Sequence, residues 1–151
     1  MIYLASDHGG YQLKKFLETY LTTQLNQKVE DLGPKKYEET DDYTDYAPLV
    51  GKAVVRNRGS LGILICGSGH GICIAANKIK GVRASIGYSI EGAELARRDD
   101  DVNVLCLAGR ILSEEHAAAI VKKFLETKLR IDSNRYTRRL EKIKEIEESN
   151  L

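Results

Sequence analysis

The residues from Leu61 to Lys78, LGILICGSGHGICIAANK, constrain the fold of this chain more than any other stretch. They begin with an apolar run that ends at Cys66, continue into a glycine-spaced loop, and open into a helix-compatible segment. Such a run is typical of a strand buried on both faces, and alternate glycines let the backbone turn tightly with its N–H groups exposed. The first N–H groups of a helix lack partners and attract anions. The stretch therefore predicts a strand, an anion-binding loop and a helix.

Strand-like and helix-like segments alternate along the whole chain. We predict strands over residues 2–5, 29–32, 63–65, 82–87 and 103–107. Helical patterns fall between them, and a charged helix follows over about residues 134–148. This alternation predicts an α/β fold, with one five-stranded parallel sheet between two layers of helices. A length of 151 residues suits a single domain over residues 1–151.

Open sheets of this kind bind ligands beyond the carboxyl ends of their strands, where the winding reverses. This rule predicts that the loops after strands one, three, four and five lie together. Those loops carry Asp7-His8, residues 66–71, the region of Asp99, and Gly109-Arg110. The last helix is too polar to be a core element, so we interpret it as an arm that packs on a neighbouring subunit of a homodimer.

The balance of charge and hydrophobicity excludes two classes of partner. The formal net charge is +1, which provides no broad field for attracting nucleic acid. No apolar run approaches the roughly 18 residues that a membrane-spanning helix needs. We therefore predict a protein that binds neither nucleic acid nor membranes.

The three cysteines, Cys66, Cys73 and Cys106, are odd in number and stand in apolar surroundings. This usage favours free thiols in a reducing compartment, and the spacing matches no zinc pattern. The acidic Asp7 follows a very short apolar start, unlike a signal peptide. We expect a cytoplasmic protein without a bound metal.

The glycine loop carries two groups with chemical potential. A cysteine at the end of a buried strand is usually a packing residue, but next to a helix N-terminus the thiolate is favoured, so Cys66 is a candidate base or nucleophile. Ser68 either caps the following helix or binds a ligand oxygen. His70 lies within the same loop, facing either the cavity or a neighbouring chain. The loop by itself matches neither a P-loop nor a dinucleotide fingerprint.

Two further groups have both a structural and a functional interpretation. Asp7 and His8 form either a self-bonded turn or a proton-transfer and phosphate-binding pair. Arginines 135, 138 and 139 form either a solvated helix face or a phosphate clamp.

Five segments stand out when the chain is considered as a whole. They are SDHGG near the start, DYTDYA from Asp42, CGSGHGICIAANKIKGVRA from Cys66, NVLCLAGR from Asn103, and the arginine-bearing last helix. Together they resemble the ribose-5-phosphate isomerase B family, which includes galactose-6-phosphate isomerase subunits. The resemblance runs nearly end to end. It implies a Rossmann-like fold, no cofactor and no metal, and dimers with active sites between subunits, the tetramer remaining open.

The resemblance also implies aldose–ketose isomerisation of a sugar phosphate through an enediolate, with roles for particular residues. Cys66 matches the base, and Ser68 matches the hydroxyl residue that assists proton movement at the oxygens. The N–H groups of Gly67, Gly69 and Gly71 would hold the enediolate oxygens. The phosphate would be bound by His8, Arg135 and Arg139, the last of these from across the dimer. The remaining matches to substrate-contacting positions are Asp7, Tyr43 and Arg110.

One departure from the family bears on the substrate. Asp99-Asp100 stands where the family usually has His-Asn, of which the histidine opens the sugar ring and the asparagine binds a hydroxyl. Asp99 could act as the base there, or His70 could supply the missing imidazole. Ribose 5-phosphate is the expected substrate. The alternatives are a hexose 6-phosphate such as allose or galactose 6-phosphate, a phosphosugar-binding protein that has lost ring opening, and, more remotely, a flavodoxin-like cofactor binder.

Overall fold

Five parallel strands organise the computed structural model, which describes residues 1–149. The strands are β1 (Ile2–Ser6), β2 (Val29–Asp31), β3 (Leu61–Cys66), β4 (Ala84–Ile86) and β5 (Val104–Ala108). Their order in the sheet is β2-β1-β3-β5-β4, and every neighbouring pair is parallel. The predicted five-stranded parallel sheet is therefore confirmed.

Six α-helices connect or follow the strands within the described residues. They are α1 (Tyr11–Thr23), α2 (Tyr43–Arg56), α3 (His70–Ala76), α4 (Ile90–Asp100), α5 (Glu114–Glu126) and α6 (Asn134–Ser149). Ser89 and Ser113 cap α4 and α5 by accepting N–H bonds from Gly92 and His116. β4 is shorter than predicted because the side chain of Asn103 accepts the N–H bond of Arg83 in place of a strand partner.

Two hydrophobic cores lie on opposite faces of the sheet, because successive side chains of a strand alternate. Ile63 and Ile65 of β3 pack with α1, α4 and α5, where Phe124 is fully buried. Leu64 and Cys66 face the other way and pack with α2 and α3. The predicted three-layer α/β/α arrangement is confirmed, and Cys66 lies at the edge of the α2–α3 core.

The winding of the sheet reverses between β1 and β3, which places the loops after β1 and β3 beside each other. The loop after β5 joins them, because Gly109 donates its N–H to Cys66 O at 2.8 Å and Arg110 donates to Gly67 O at 3.0 Å. Three of the four predicted loops thus meet at one edge.

The prediction that Asp99 lies in the loop after β4 is wrong. The helix α4 begins at Ile90 and continues through Asp100. Asp99 and Asp100 are therefore at the carboxyl end of a helix that leads back to the start of β5. This places them at the opposite edge of the sheet from Cys66, because a crossover helix runs antiparallel to its strands.

Helix α6 stands largely clear of the sheet, and none of its described residues is buried. Glu147 accepts the N–H bond of Gly81 at 2.7 Å, and a mostly apolar groove of about 800 Å³ separates the helix from the residues around Val82. The exposed face agrees with an arm that packs on a partner, which stays a prediction.

Candidate active site

The three loops of the site touch each other backbone to backbone. A methyl group placed on Gly9 would lie 2.8 Å from the nitrogen of Gly67, and one placed on Gly109 would lie 2.6 Å from the carbonyl oxygen of Gly9. Distances this short leave no space for a side chain at either position. Glycine at these positions therefore lets the loops after β1, β3 and β5 form one continuous floor.

Above this floor is a cavity of about 500 Å³. Its lining includes eight of the fourteen residues singled out from the sequence, namely Asp7, His8, Tyr43, Cys66, Gly67, Ser68, Gly71 and Arg110. It also includes three residues that the sequence did not indicate, Asp41, Asp42 and Ile111. This convergence of polar groups on one cleft is typical of a small-molecule site.

Cys66 ends β3 with its side chain at the base of the cavity, and the residue is 4% exposed. Its sulfur accepts the N–H bond of Gly69 at 3.1 Å. Gly69 reaches that position with a φ of +81°, the left-handed region that favours glycine. The loop geometry thus directs a backbone donor at the sulfur atom, which stabilises negative charge there.

Ser68 is not the cap of α3, the first of the two roles that the sequence left open. Its hydroxyl accepts the N–H bond of His70 at 3.3 Å, but the N-cap position is Gly69, and no side chain caps the helix. The Ser68 side chain is exposed and lines the cavity, which agrees with binding of a ligand oxygen, and that role stays a prediction.

Asp7 follows β1 and is 6% exposed. Its carboxylate accepts the N–H bond of Gly10 at 3.2 Å and caps a short 3₁₀ turn over His8–Gly10. Burial raises the pKa of Asp7, an effect that the neighbouring His8 opposes. A carboxyl group with a raised pKa is better suited to exchanging protons near neutral pH than an exposed one.

His8 is held by Asp41, a contact that the sequence did not indicate. Asp41 Oδ1 accepts from the backbone N–H of His8 at 2.8 Å and lies 2.9 Å from its Nδ1. The hydrogen bond to Asp41 raises the pKa of His8, with a further contribution from Asp7. The cavity thus contains two groups that suit an anion: the imidazole of His8, whose protonated form is favoured, and the guanidinium of Arg110.

Tyr43 and Arg110 lie against the glycine loop from opposite sides. A methyl group on Gly71 would meet the Tyr43 ring at 2.5 Å, and one on Gly67 would meet the Arg110 guanidinium at 3.1 Å. Because glycine has no side chain, the ring of Tyr43 and the guanidinium of Arg110 have room to pack against Gly71 and Gly67. Arg110 is the one arginine of the sequence-predicted set that lines this cavity.

The remaining sequence-predicted residues do not line the cavity. Gly69 is buried beneath the loop, and His70 is exposed at the first position of α3. Asp99 is paired with Arg98 at 2.9 Å and Arg130 at 3.4 Å, and Arg98 above all lowers its pKa. Burial and the neighbouring Asp99 raise the pKa of Asp100. Asp99 is therefore not a free base in the cavity of its own chain.

Arg135 and Arg139 are exposed on α6, and the charge of Arg139 acts on Asp99 and Asp100 at the end of α4. The guanidinium of Arg139 lies over the ring of Tyr136 at 5.4 Å, and that of Arg130 lies over the same ring at 4.5 Å. Together with Asp99 and Asp100 they form a second polar cluster, away from Cys66. The chain thus carries the residues expected for one site in two separate places.

The family description "Ribose/Galactose Isomerase" matches residues 2–143 of this chain. The chain belongs to this family. A probable ribose-5-phosphate isomerase B of Mycoplasma genitalium is 46% identical over 144 residues, which cover 94% of this chain and 92% of the relative. The resemblance drawn from the five segments is confirmed.

Solved structures of the family have the same fold. Ribose-5-phosphate isomerase B of Mycoplasma genitalium, in a crystal structure with bound ribulose-5-phosphate, has a TM-score of 0.92 and 43% identity and covers 99% of this chain and 97% of its own. The Thermotoga maritima protein has a TM-score of 0.88 and 40% identity, covering 95% and 97%.

None of the helices within residues 1–149 has the length and hydrophobicity of a membrane-spanning segment. No three His, Cys, Asp or Glu side chains in that range are grouped as a metal site would require.

Proposed function

We propose that this chain is a cofactor-free isomerase that interconverts ribose 5-phosphate and ribulose 5-phosphate. The observation that carries the proposal is Cys66, whose sulfur lies at the base of a polar cavity and accepts a backbone N–H bond. Membership of the ribose/galactose isomerase family and the names of its relatives support the substrate.

The reaction needs a base between two adjacent sugar carbons. In our proposal the Cys66 thiolate takes the proton from C2 of the open-chain aldose. The electrons of the broken C–H bond form the C1–C2 double bond, and the carbonyl oxygen at C1 takes up negative charge. Ser68 assists the proton movement between the two oxygens, and the thiol then returns its proton to C1.

The negative charge of the enediolate requires donors that are already in place. The N–H groups of Gly67 and Gly71 are the proposed donors, since both residues line the cavity beside Cys66. The N–H of Gly69, the third donor expected from the sequence, bonds to the sulfur instead and is proposed to stabilise the base. Asp7 and Tyr43 are the proposed contacts to the sugar hydroxyls from the walls of the cavity.

The phosphate is proposed to lie at the far end of the cavity, bound by His8 and Arg110. Arg135 and Arg139 are proposed to join it from the partner in a homodimer. The separation of the two polar clusters supports this arrangement, because α6 carries its arginines away from its own Cys66. Asp99 and Asp100 would come to the shared site with them.

We also propose a cytoplasmic location, in keeping with three free thiols.

A hexose 6-phosphate is the second candidate substrate, favoured by Asp99-Asp100 at the position where the family usually has His-Asn. The purified protein should be offered ribose 5-phosphate, allose 6-phosphate and galactose 6-phosphate, with ketose formation followed for each. We expect the highest kcat/KM with ribose 5-phosphate. A higher kcat/KM with a hexose 6-phosphate would show that the substrate is a hexose phosphate and not ribose 5-phosphate. Thermal stabilisation by ribose 5-phosphate without turnover would indicate a binding protein.

A further inference from the structure

The segment between β2 and α2 delivers one carboxylate to the site. Asp41 lies in this segment, and its side chain is 7% exposed. A single oxygen, Oδ1, accepts the backbone N–H of His8 and lies within hydrogen-bond distance of its Nδ1. Two bonds from one acceptor fix both the backbone and the ring of His8.

We propose that Asp41 is the positioning residue of His8, holding Nδ1 as the protonated nitrogen and leaving Nε2 to donate a hydrogen bond to the substrate's phosphate. A carboxylate accepts and does not donate, so the nitrogen that faces it carries the hydrogen. This inference rests on the proposed function, in which His8 binds that phosphate.

The charges around His8 explain why a cation is needed there. The titratable and charged groups that line the same cavity are Asp7, Asp41, Asp42, Tyr43, Cys66 and Arg110. Three of the six are carboxyl groups, so a phosphate beside a neutral imidazole would face more negative charge than Arg110 balances. Asp41 favours the protonated imidazole by lying 2.9 Å from Nδ1, and this hydrogen bond raises the pKa of His8.

The second oxygen of Asp41 lies in a buried position beside Tyr46. Oδ2 has no hydrogen bond of good geometry within residues 1–149. Burial, followed by a side-chain hydrogen bond with Asp41, raises the pKa of Tyr46 to about 12. An asparagine at position 41 would offer Oδ1 the same two bonds to His8 without a charge, so the Asp41→Asn variant separates the charge from the backbone contact.

The direct test is the titration of His8 in Asp41→Asn, followed by NMR of the isotope-labelled imidazoles without substrate. The chain has three histidines, so a His8→Gln variant identifies the His8 resonance by its loss. We expect the pKa of His8 to fall in Asp41→Asn, and its Nδ1–H tautomer to be less populated when the ring is neutral. An unchanged pKa and tautomer in a folded variant would overturn the proposal.

Kinetics give a second readout. We expect Asp41→Asn to raise the KM for ribose 5-phosphate about tenfold, the difference between a charged and a neutral hydrogen bond, with kcat changed much less. Because a neutral imidazole no longer donates from Nε2, KM should rise as pH rises through the pKa of His8, and in the variant this rise should begin at lower pH. A drop in kcat with KM and its pH profile unchanged would contradict the positioning role.

Asp45→Asn is the matched control. Asp45 is exposed in the first turn of α2, outside the cavity lining, and its replacement removes one carboxylate from the same region. It should change neither the His8 titration nor KM. If the wild-type protein shows no isomerase activity, the proposed function fails while the NMR titration still decides the role of Asp41.

Discussion

Cys66 combines three properties that a carbon-proton base requires. It is nearly buried, so water does not compete for its proton. It faces a cavity, and it receives a backbone donor from Gly69. The other two cysteines have the first property only, because Cys73 and Cys106 pack inside the core between the sheet and α3.

The first prediction concerns the sulfur itself. Cys66→Ala should reduce kcat by about 10²- to 10⁴-fold, because general base catalysis contributes on that order and no other thiol lines the cavity within residues 1–149. Ribose 5-phosphate should still raise the melting temperature of the variant. Steady-state kinetics and thermal melts measure the two effects.

Cys73→Ala is the control for this variant. Cys73 is one of the buried core thiols, outside the cavity lining, and should keep near-normal kcat with a small loss of stability. Substantial activity in Cys66→Ala would move the base to another residue.

The sequence was sufficient to single out Cys66 but not Asp41, and the reason is local pattern. Cys66 ends an apolar run and begins a glycine loop, so its place at a strand end follows from chain order alone. Asp41 is one of several acids in the segment 38–45, which has neither helical nor strand periodicity. Which acid turns inward depends on the path of that segment, and nothing in the local sequence encodes it.

At the scale of elements, a buried ion pair fixes the path of the segment that carries Asp41. Lys14 of α1 is fully buried, and its Nζ donates to both oxygens of Asp31 at 2.8 and 3.0 Å and to the carbonyl oxygen of Pro34. Burial lowers the pKa of Lys14. Burial alone raises the pKa of Asp31, and the bonds from Lys14 and Gly33 then bring it below its usual value.

The second prediction is that Lys14→Met destabilises the protein by about 3 kcal/mol, because the buried Asp31 then keeps only the N–H bond of Gly33 and the exposed Lys35 at 3.6 Å. Urea unfolding measures the loss. The double variant Lys14→Met/Asp31→Leu should recover much of it, since the charge is then removed with its partner. Lys15→Met, which breaks an exposed pair with Glu18, should cost less than about 1 kcal/mol. If Lys14→Met lost no more free energy of unfolding than Lys15→Met does, this account of the buried ion pair would be contradicted.

Most elements could be predicted from apolar periodicity and turn residues, and the error at Asp99 shows where this method fails. The region of Asp99 was expected in the loop after β4, and acids are unfavourable at the carboxyl end of a helix. Arg98 and Arg130 neutralise Asp99, and the helix ends only when Asp101 takes a left-handed conformation with φ +48°. Tertiary ion pairs therefore overrode the local preference, and the acids moved to the other edge of the sheet.

At the scale of the whole molecule, the distribution of polar residues is divided between two places. One cluster surrounds Cys66, and the other joins the ends of α4 and α6 around Arg139. Because the two halves lie apart, a single chain on its own would have no complete site. The proposed homodimer resolves the division by pairing the first cluster of one subunit with the second cluster of its partner.

The third prediction tests this pairing by mixing inactive variants. Cys66→Ala and Arg139→Ala should each be impaired alone, but subunit exchange between them should restore roughly a quarter of the wild-type activity. About half of the dimers are then mixed, and each holds one intact site of two. Activity is measured after joint unfolding and refolding.

Cys66→Ala mixed with His8→Ala is the control, because both residues lie in the same cavity of one chain. Each site of that mixed dimer lacks one of them, so no activity should return. Failure of the Arg139 mixture to exceed the unmixed variants would mean that sites are not shared.

The backbone contact between Gly9 and Gly109 also determines when the site forms during folding. These residues are one hundred positions apart, and the floor exists only after β1, β3 and β5 have all paired. Loop closure over such a separation is slow, so the cavity is a late product of folding and has no counterpart in a partly folded chain. The amide hydrogen of Gly109, which donates to Cys66 O at 2.8 Å, should consequently exchange through the same global opening as the centre of the sheet.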